Sequence, residues 1–255
     1  RPCRVHAGGY GDFADCGLVI LAAGTNQRPG ETREALLGRN RAILQSILEQ
    51  LTAVNRDAVL LVVSNPVDVL TGYTLELSGF PAERVIGSGT VLDTARIKCL
   101  LGEKLGVDSR NVHAFMLGEH GDSEVAVWSS ANISGADLDD FCLAAGIDDP
   151  ESMLASLARE VTHAAYDIIE RKGATCYGIA MAVRRIAEAI IRDEHAVLPV
   201  STLARGAYGI EGVCLGLPAV VGRSGVSQVL DLPLSRDETE RLLASAHKLK
   251  TLMEG

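Results

Sequence analysis

Three short, largely apolar runs, each opening into a polar loop and then into a stretch of helical periodicity, restrict the folds open to this chain. They are residues 17–23, Ala58–Val63 and the shorter Val85–Gly89. The first is too short and too uniformly apolar for an amphipathic helix and reads as a buried strand, the second reads as another, and the third as a short strand. After the first, Leu36, Leu37, Ile43, Leu44, Ile47, Leu48 and Leu51 recur at three-to-four spacing, the stripe of a helix packed on one face. Pro66 suits the first turn of a second helix reaching about Leu77, and Leu92–Leu105 reads as a third. Strand, loop and helix repeated in this way imply parallel strands with crossover helices. With 47% hydrophobic but only 4% aromatic residues, the core must be built from Leu, Val, Ile and Ala, which suits strands buried on both faces.

Past residue 120 the pattern changes. Glu124–Ile133 reads as extended and Asp137–Asp149 as an acidic, loop-rich connection. Two long helices follow over about 151–171 and 175–192, then strand-like runs at Val197–Leu203, Val213–Leu217, Ala219–Val221 and Val226–Leu230. Ser235 and Glu238 form a capping box for a last helix to about Met253. We therefore place a boundary near His120, between a dinucleotide-binding domain (1–120) and an α+β domain (121–255). A dinucleotide fold ordinarily opens on a strand and a G-x-G-x-x-G turn. Gly8-Gly9-Tyr10-Gly11 fails that spacing and has no apolar strand before it. The three units resemble the later part of such a fold, with on the order of 60 residues missing before them at ~30 residues per βαβ unit.

A net charge of −9 argues against a nucleic-acid or anionic-membrane surface, and no apolar run approaches membrane-spanning length. Six cysteines without C-x-x-C spacing read as reduced thiols of a cytoplasmic protein.

The residues with chemical potential lie at strand ends. His120 follows the apolar run Val112–Leu117 and is bounded by turn residues, where open α/β folds place their chemistry. Imidazole is the side chain suited to exchange a proton near neutral pH. Asp93 and Arg96 share a helix face: the carboxylate could orient His120 and the guanidinium could grip a substrate carboxylate, or the two could form an ordinary surface ion pair. Arg33 lies beyond a Pro29-Gly30 turn, either on a closing lid or merely decorating a helix. Asn65 could donate to a substrate or cofactor carbonyl, or cap a helix.

Six ordered stretches carry a resemblance. They are Ala23-Gly24-Thr25-Asn26-Gln27 through Arg33; Val63-Ser64-Asn65-Pro66-Val67-Asp68; Gly87-Ser88-Gly89; Leu92-Asp93-Thr94-Ala95-Arg96; Gly118-Glu119-His120-Gly121-Asp122-Ser123; and Gly173-Ala174-Thr175. The chain resembles the NAD-dependent L-lactate dehydrogenases of the lactate/malate dehydrogenase superfamily. The fold this implies is α/β, a partial Rossmann-type parallel sheet followed by an α+β substrate domain. The resemblance implies NAD as cofactor, with pyruvate and L-lactate as substrates. It makes His120 the proton donor and acceptor, paired with Asp93. Arg96 would bind the substrate carboxylate, and Arg33 would polarise the carbonyl. Gln27, Asn65, Asp68 and Thr175 would complete the substrate site, with a cis bond from Asn65 to Pro66. Tyr10, Gly24, Thr25, Ser46, Val63, Ser64, Asn65, Ser88 and Ile179 match positions near the cofactor. Thr25 departs from the usual Ala, a small change beside the cofactor.

Gln27 separates lactate from malate chemistry, because the malate pattern has Arg there to pair with a second carboxylate. A neutral Gln leaves that carboxylate unpaired, at a cost of several kcal/mol. Malate dehydrogenase and a non-catalytic truncated form stay as alternatives. Lys98 and His113 match positions that, in bacterial relatives activated by fructose 1,6-bisphosphate, meet across a subunit interface. The resemblance thus implies a homotetramer with that sugar phosphate as an effector.

Overall fold

The computed structural model describes residues 3–25, 33–173 and 175–254, without the side chains of Arg33, Glu34 and Glu254. The βα units form as their patterns predict: β1 (Leu18–Leu21), α1 (Arg33–Thr52), β2 (Val59–Val62), α2 (Val67–Ser78), β3 (Val85–Gly87) and α3 (Val91–Leu105). β1, β2 and β3 pair in parallel. All four residues of β2 are fully buried because the sheet is covered on both faces. Leu60 and Val62 pack with Leu44, Leu48 and Leu51 of α1, while Val59 and Leu61 face the opposite side.

Then come β4 (Val112–Leu117), β5 (Val125–Ile133), β6 (Ala136–Asp137), α4 (Leu138–Ala144), α5 (Pro150–Lys172) and α6 (Tyr177–Arg192). The chain continues as β7 (Ala196–Arg205), β8 (Glu211–Gly222), β9 (Gly225–Val229) and α7 (Arg236–Glu254). The main sheet has the order β1-β2-β3-β7-β8-β9, in which β7 runs antiparallel to β3. β4, the strand leading to His120, does not extend the parallel sheet. It pairs antiparallel with β5 in a three-stranded sheet, over a core shared with α3, α4 and α5. Ala182, Ile186, Ala189 and Ile190 of α6 close the second face of the main sheet.

Two local expectations are corrected. The acidic segment 137–149 contains α4, capped by Asp137 accepting from the Asp139 amide at 2.9 Å. Only Leu138 and Cys142 on it are buried, too few to show a period. Val213–Leu217 and Ala219–Val221 are one strand, β8, running through Pro218. Pro218 stands opposite Pro199 of β7. Their carbonyls point outward, to the amides of Leu230 and Thr90. This is therefore a pair position at which β7 and β8 exchange no hydrogen bonds, and the missing N–H groups cost that pairing nothing. The Ser235–Glu238 box forms as expected, with Ser235 N donating to Glu238 Oε2 at 2.8 Å and Glu238 N to Ser235 Oγ at 3.2 Å.

Candidate active site

The carboxyl ends of β1, β2 and β3 open on one crevice, the place where open α/β sheets bind ligands. A cavity of about 380 Å³ lies there, lined on the sheet side by Gly24, Thr25, Val63, Ser64, Asn65 and Ser88. Leu92, Arg96, His120, Ala165, Ile169, Thr175 and Ile179 form the facing wall. Ser64 Oγ donates to the Ala23 carbonyl at 2.8 Å, and the Thr25 amide donates to buried Asn40 at 2.9 Å, so the sheet-side loops are fixed. The Asn65–Pro66 bond is cis. Pro66 itself is the N-cap of α2, without a side-chain cap, so Asn65 is spared for the cavity.

At the facing wall, buried Asp93 in the first turn of α3 accepts from Arg96 Nη1 at 3.1 Å and lies 2.6 Å from His120 Nδ1. A carboxylate only accepts, so Nδ1 carries the proton and Nε2 is the ring nitrogen left for the cavity. Asp68 Oδ2 accepts from the His120 amide at 2.8 Å. Burial works against an imidazolium here. The Asp93 hydrogen bond, together with the charges of Asp93, Asp68 and Glu124, outweighs it and raises His120 to about 9. His120 is therefore charged at neutral pH. Burial raises Asp68 to about 6 against the pull of the Ser201 hydroxyl and the His120 amide. Neither Ser201 Oγ nor Asp68 Oδ1 makes a hydrogen bond of ordinary geometry.

The loop carrying His120 is clamped from segments far along the chain. Gly118 and Gly216 exchange amide hydrogen bonds of 2.9 and 2.8 Å, joining the end of β4 to β8. Ser245 Oγ on α7 accepts from the Glu119 amide at 2.8 Å, and Lys248 Nζ lies 2.6 Å from Glu119 Oε2, which also accepts from Ser123. Gly118 has φ +91°, and a Cβ on it would come within 2.8 Å of Ser245 Oγ. Only glycine lets the loop leave β4 under α7.

Two family models cover the chain: the lactate/malate dehydrogenase NAD-binding domain over residues 1–87, and the lactate/malate dehydrogenase alpha/beta C-terminal domain over residues 90–255. The chain belongs to the lactate/malate dehydrogenase family. It is 51% identical to an L-lactate dehydrogenase of Streptococcus gordonii over 99% of its own length and 77% of the relative's. It is 49% identical to one of Clostridium perfringens, over 98% and 79%. A lactate dehydrogenase from a Medee basin deep-sea metagenome library superposes with a TM-score of 0.96 at 43% identity, covering all of this chain and 81% of that one. The minor L-lactate dehydrogenase of Enterococcus mundtii in its ligand-bound form gives 0.92 at 43%, covering 97% and 78%.

Within this family member, the structure brings together His120, Asp93, Arg96, Asn65, Thr175, Gly24, Thr25, Val63, Ser64, Ser88 and Ile179. Gln27 and the Arg33 side chain lie outside the described residues. Asp68 does not line the cavity. It sits behind His120, buried, holding the histidine's main chain rather than meeting substrate. Ser46 is exposed on α1, outside the stripe of Leu44 and Leu48, and Tyr10 packs edge-on against Phe13 with ring centroids 5.7 Å apart. Neither reaches the cavity. Lys98 and His113 line a separate recess of about 340 Å³ together with Arg185, and burial lowers the Lys98 ammonium.

Sequence reasoning missed Ser245, Lys248, Glu124 and Thr162. A signal for Ser245 existed, since it is a polar residue inside the buried stripe Leu242, Ala246 and Leu249. Asp93, His120 and Glu124 hold ligand-type atoms within 4.8 Å of one another, a spacing a metal ion could use. Here Asp93 already serves His120 and Arg96, and Glu124 accepts from Thr162.

Proposed function

We propose that this chain works as an NAD-dependent L-lactate dehydrogenase in which His120, oriented by Asp93, exchanges the proton of the reaction. The observation that carries this reading is the charged Asp93–His120 pair beside Arg96, in a cavity at the carboxyl ends of three parallel strands. The cavity fits the nicotinamide half of the cofactor. Three strand ends present a Gly, three hydroxyl residues and an Asn on one side, and Ile179 offers an apolar surface on the other. When bound, the cofactor supplies or accepts hydride. Asn65, Ser64 and Ser88 would hold its carboxamide end.

Arg96 pairs with the substrate carboxylate and fixes the pose. His120 Nε2 delivers its proton to the carbonyl oxygen in reduction and takes it back in oxidation, while Asp93 compensates the imidazolium. Arg33 stabilises the oxyanion as it develops. Gln27, being neutral, offers no cation to a second carboxylate and so disfavours one. On this reading residues 1–120 supply the sheet side of the cavity and Leu92, Arg96 and His120 of its facing wall, and residues 121–255 supply the rest of that wall and the clamp. The test is NADH oxidation with pyruvate, in wild type and His120→Gln. Loss of several orders of magnitude in kcat is expected, and near-normal turnover of the variant would remove His120 from its role.

We further propose a homotetramer that answers to fructose 1,6-bisphosphate through Lys98 and His113. The recess they share with Arg185, itself paired with Glu194 at 2.5 Å, is lined by basic and no acidic side chains in an acidic protein. Like charges of Lys98 and its symmetry mate brought together across an interface repel until an anion fills it. Lys offers phosphate no two-pronged grip, so activation is weaker than an Arg would give. Pyruvate saturation curves with and without the sugar phosphate test this. They should differ in wild type and coincide in the Lys98→Ala, His113→Ala double variant, and a wild type indifferent to the effector sinks the idea. Six cysteines, none in a disulfide, fit a reducing compartment, and we assign the chain to the cytoplasm.

A further inference from the structure

Behind the catalytic pair, on the side of α5, lies a third acid that the reaction as described does not use. Glu124, immediately before β5, is 6% exposed. Its Oε1 accepts from Thr162 Oγ1 at 2.8 Å, and its carboxyl comes within 4.8 Å of Asp93 and His120. Among the described residues no lysine or arginine pairs with it. The charged groups around it are Asp93 and Arg96 from α3 and His120 from the catalytic loop. Asp122, Asp139, Glu151, Arg159, His163 and Arg241 line the same outer recess.

Two carboxylates so close in a buried site cannot both stay ionised unless each has a cation. Asp93 is bonded to both nearby cations, His120 and Arg96, whereas Glu124 has a neutral hydroxyl as its bonded partner. The proton therefore stays on Glu124. Burial first, then the charge of Asp93, lifts it to about 8, against the pull of Thr162, His120 and Arg96.

We propose that Glu124 is a positioning residue acting through the Asp93–His120 pair: it stays neutral at neutral pH, and by ionising in alkali it prolongs the protonated state of His120. The physical sequence is simple. As pH rises, Glu124 gives up its proton, and the new negative charge beside the imidazolium makes the His120 proton harder to remove. The two groups titrate as a coupled set, and the span of pH over which the enzyme can reduce its substrate widens on the alkaline side. Without Glu124 the alkaline limit is set by Asp93 and Asp68 alone.

The experiment is the pH profile of kcat/KM for pyruvate reduction from pH 6 to 10 in wild type, Glu124→Gln and Thr162→Val. Glutamine keeps the shape and can accept from Thr162 but never ionises, so the alkaline limb should move down by about one pH unit or more. Thr162→Val removes the donor that favours the ionised acid, so its limb should move the same way by a smaller amount. The readout is the position of the limb rather than its height, which a packing defect alone does not move. If Glu124→Gln does not fold, the Thr162→Val profile decides. The inference rests on His120 as proton donor. A wild-type profile with no alkaline limb overturns that reading, and with it this one. A wild-type limb that the variants reproduce at the same pH overturns the role of Glu124 alone.

Discussion

Asp93→Asn preserves the size of the side chain and removes its charge, and it should split the two directions of the reaction. Asp93 lies 2.6 Å from His120 Nδ1 and 3.1 Å from Arg96 Nη1. With Asp93 in place His120 titrates at about 9 against an ordinary 6.5. That difference of about 2.5 is worth a few kcal/mol in favour of the imidazolium. The charges of Asp68 and Glu124 remain, but the strongest support is gone and burial pulls the other way, so without the Asp93 carboxylate His120 should fall back towards 6.5. At pH 7.5 a group titrating at about 9 is about 97% protonated, and one at 6.5 about 9%. Pyruvate reduction should therefore lose about tenfold from protonation alone. The freed Arg96 adds to the loss. Lactate oxidation needs the neutral ring, so its acid limb should move to lower pH. The assay is kcat/KM against pH in both directions. Stability should follow the same sign. A raised folded value means that the imidazolium stabilises the fold fully below pH 6.5 and ceases to do so as pH passes about 9. Hence the variant's loss of stability should be largest in mild acid. A reduction limb that stays above pH 8 in Asp93→Asn would refute this account of His120.

Other perturbations test the remaining parts. Gln27→Arg should move the kcat/KM ratio towards oxaloacetate by about a hundredfold or more, since several kcal/mol of unpaired carboxylate is relieved at 1.4 kcal/mol per tenfold. An unmoved ratio would mean that Gln27 does not meet the variable end of the substrate. Glu238→Gln should destabilise by about 2–3 kcal/mol in denaturant titrations at pH 7, because the carboxylate accepts from the amides of Trp128, Ser129 and Ser235. Burial opposes that charge but these bonds hold Glu238 below its usual range, so the deficit should begin to shrink as pH falls below the ordinary 4.5 and go on shrinking through the depressed folded value. Equal deficits at pH 7 and pH 4 would contradict this. Ser245→Ala should lower kcat severalfold while leaving the His120 limb where it is, because it loosens the loop without touching the charges. A shifted limb would show that Ser245 acts electrostatically.

The βα repeat was readable because period and composition act locally. β1, β2, β3 and their helices follow from runs such as 58–63 and from the stripe Leu44, Leu48, Leu51. The site residues at strand ends were readable for the same reason, since His120, Asn65 and Ser88 each follow an apolar run. What stayed hidden depends on contacts between distant segments. Nothing near β4 says that it will pair with β5 instead of β3, and Pro218 interrupts the pattern of β8 although Pro199 makes it harmless. Asp68 sits in a motif full of cavity residues, so its neighbours suggest a substrate contact. Its burial under His120 appears only once β4 and β8 are in place. Glu124 and Thr162 lie 38 residues apart on segments that carry no mutual signal.

The clamp on the catalytic loop has a consequence for how activity is acquired. Glu119 meets Ser245 across 126 residues of sequence, and Gly118 is stitched to Gly216. The βα units of the amino-terminal half close through much shorter loops, and short closures are the faster ones. His120 can therefore be synthesised, and its strand formed, long before its loop is held in working shape. During refolding from denaturant, secondary structure should return before turnover does. A cut in the β7–β8 turn, at Ala207–Gly209, should cost catalysis at temperatures where the parallel strands still hold.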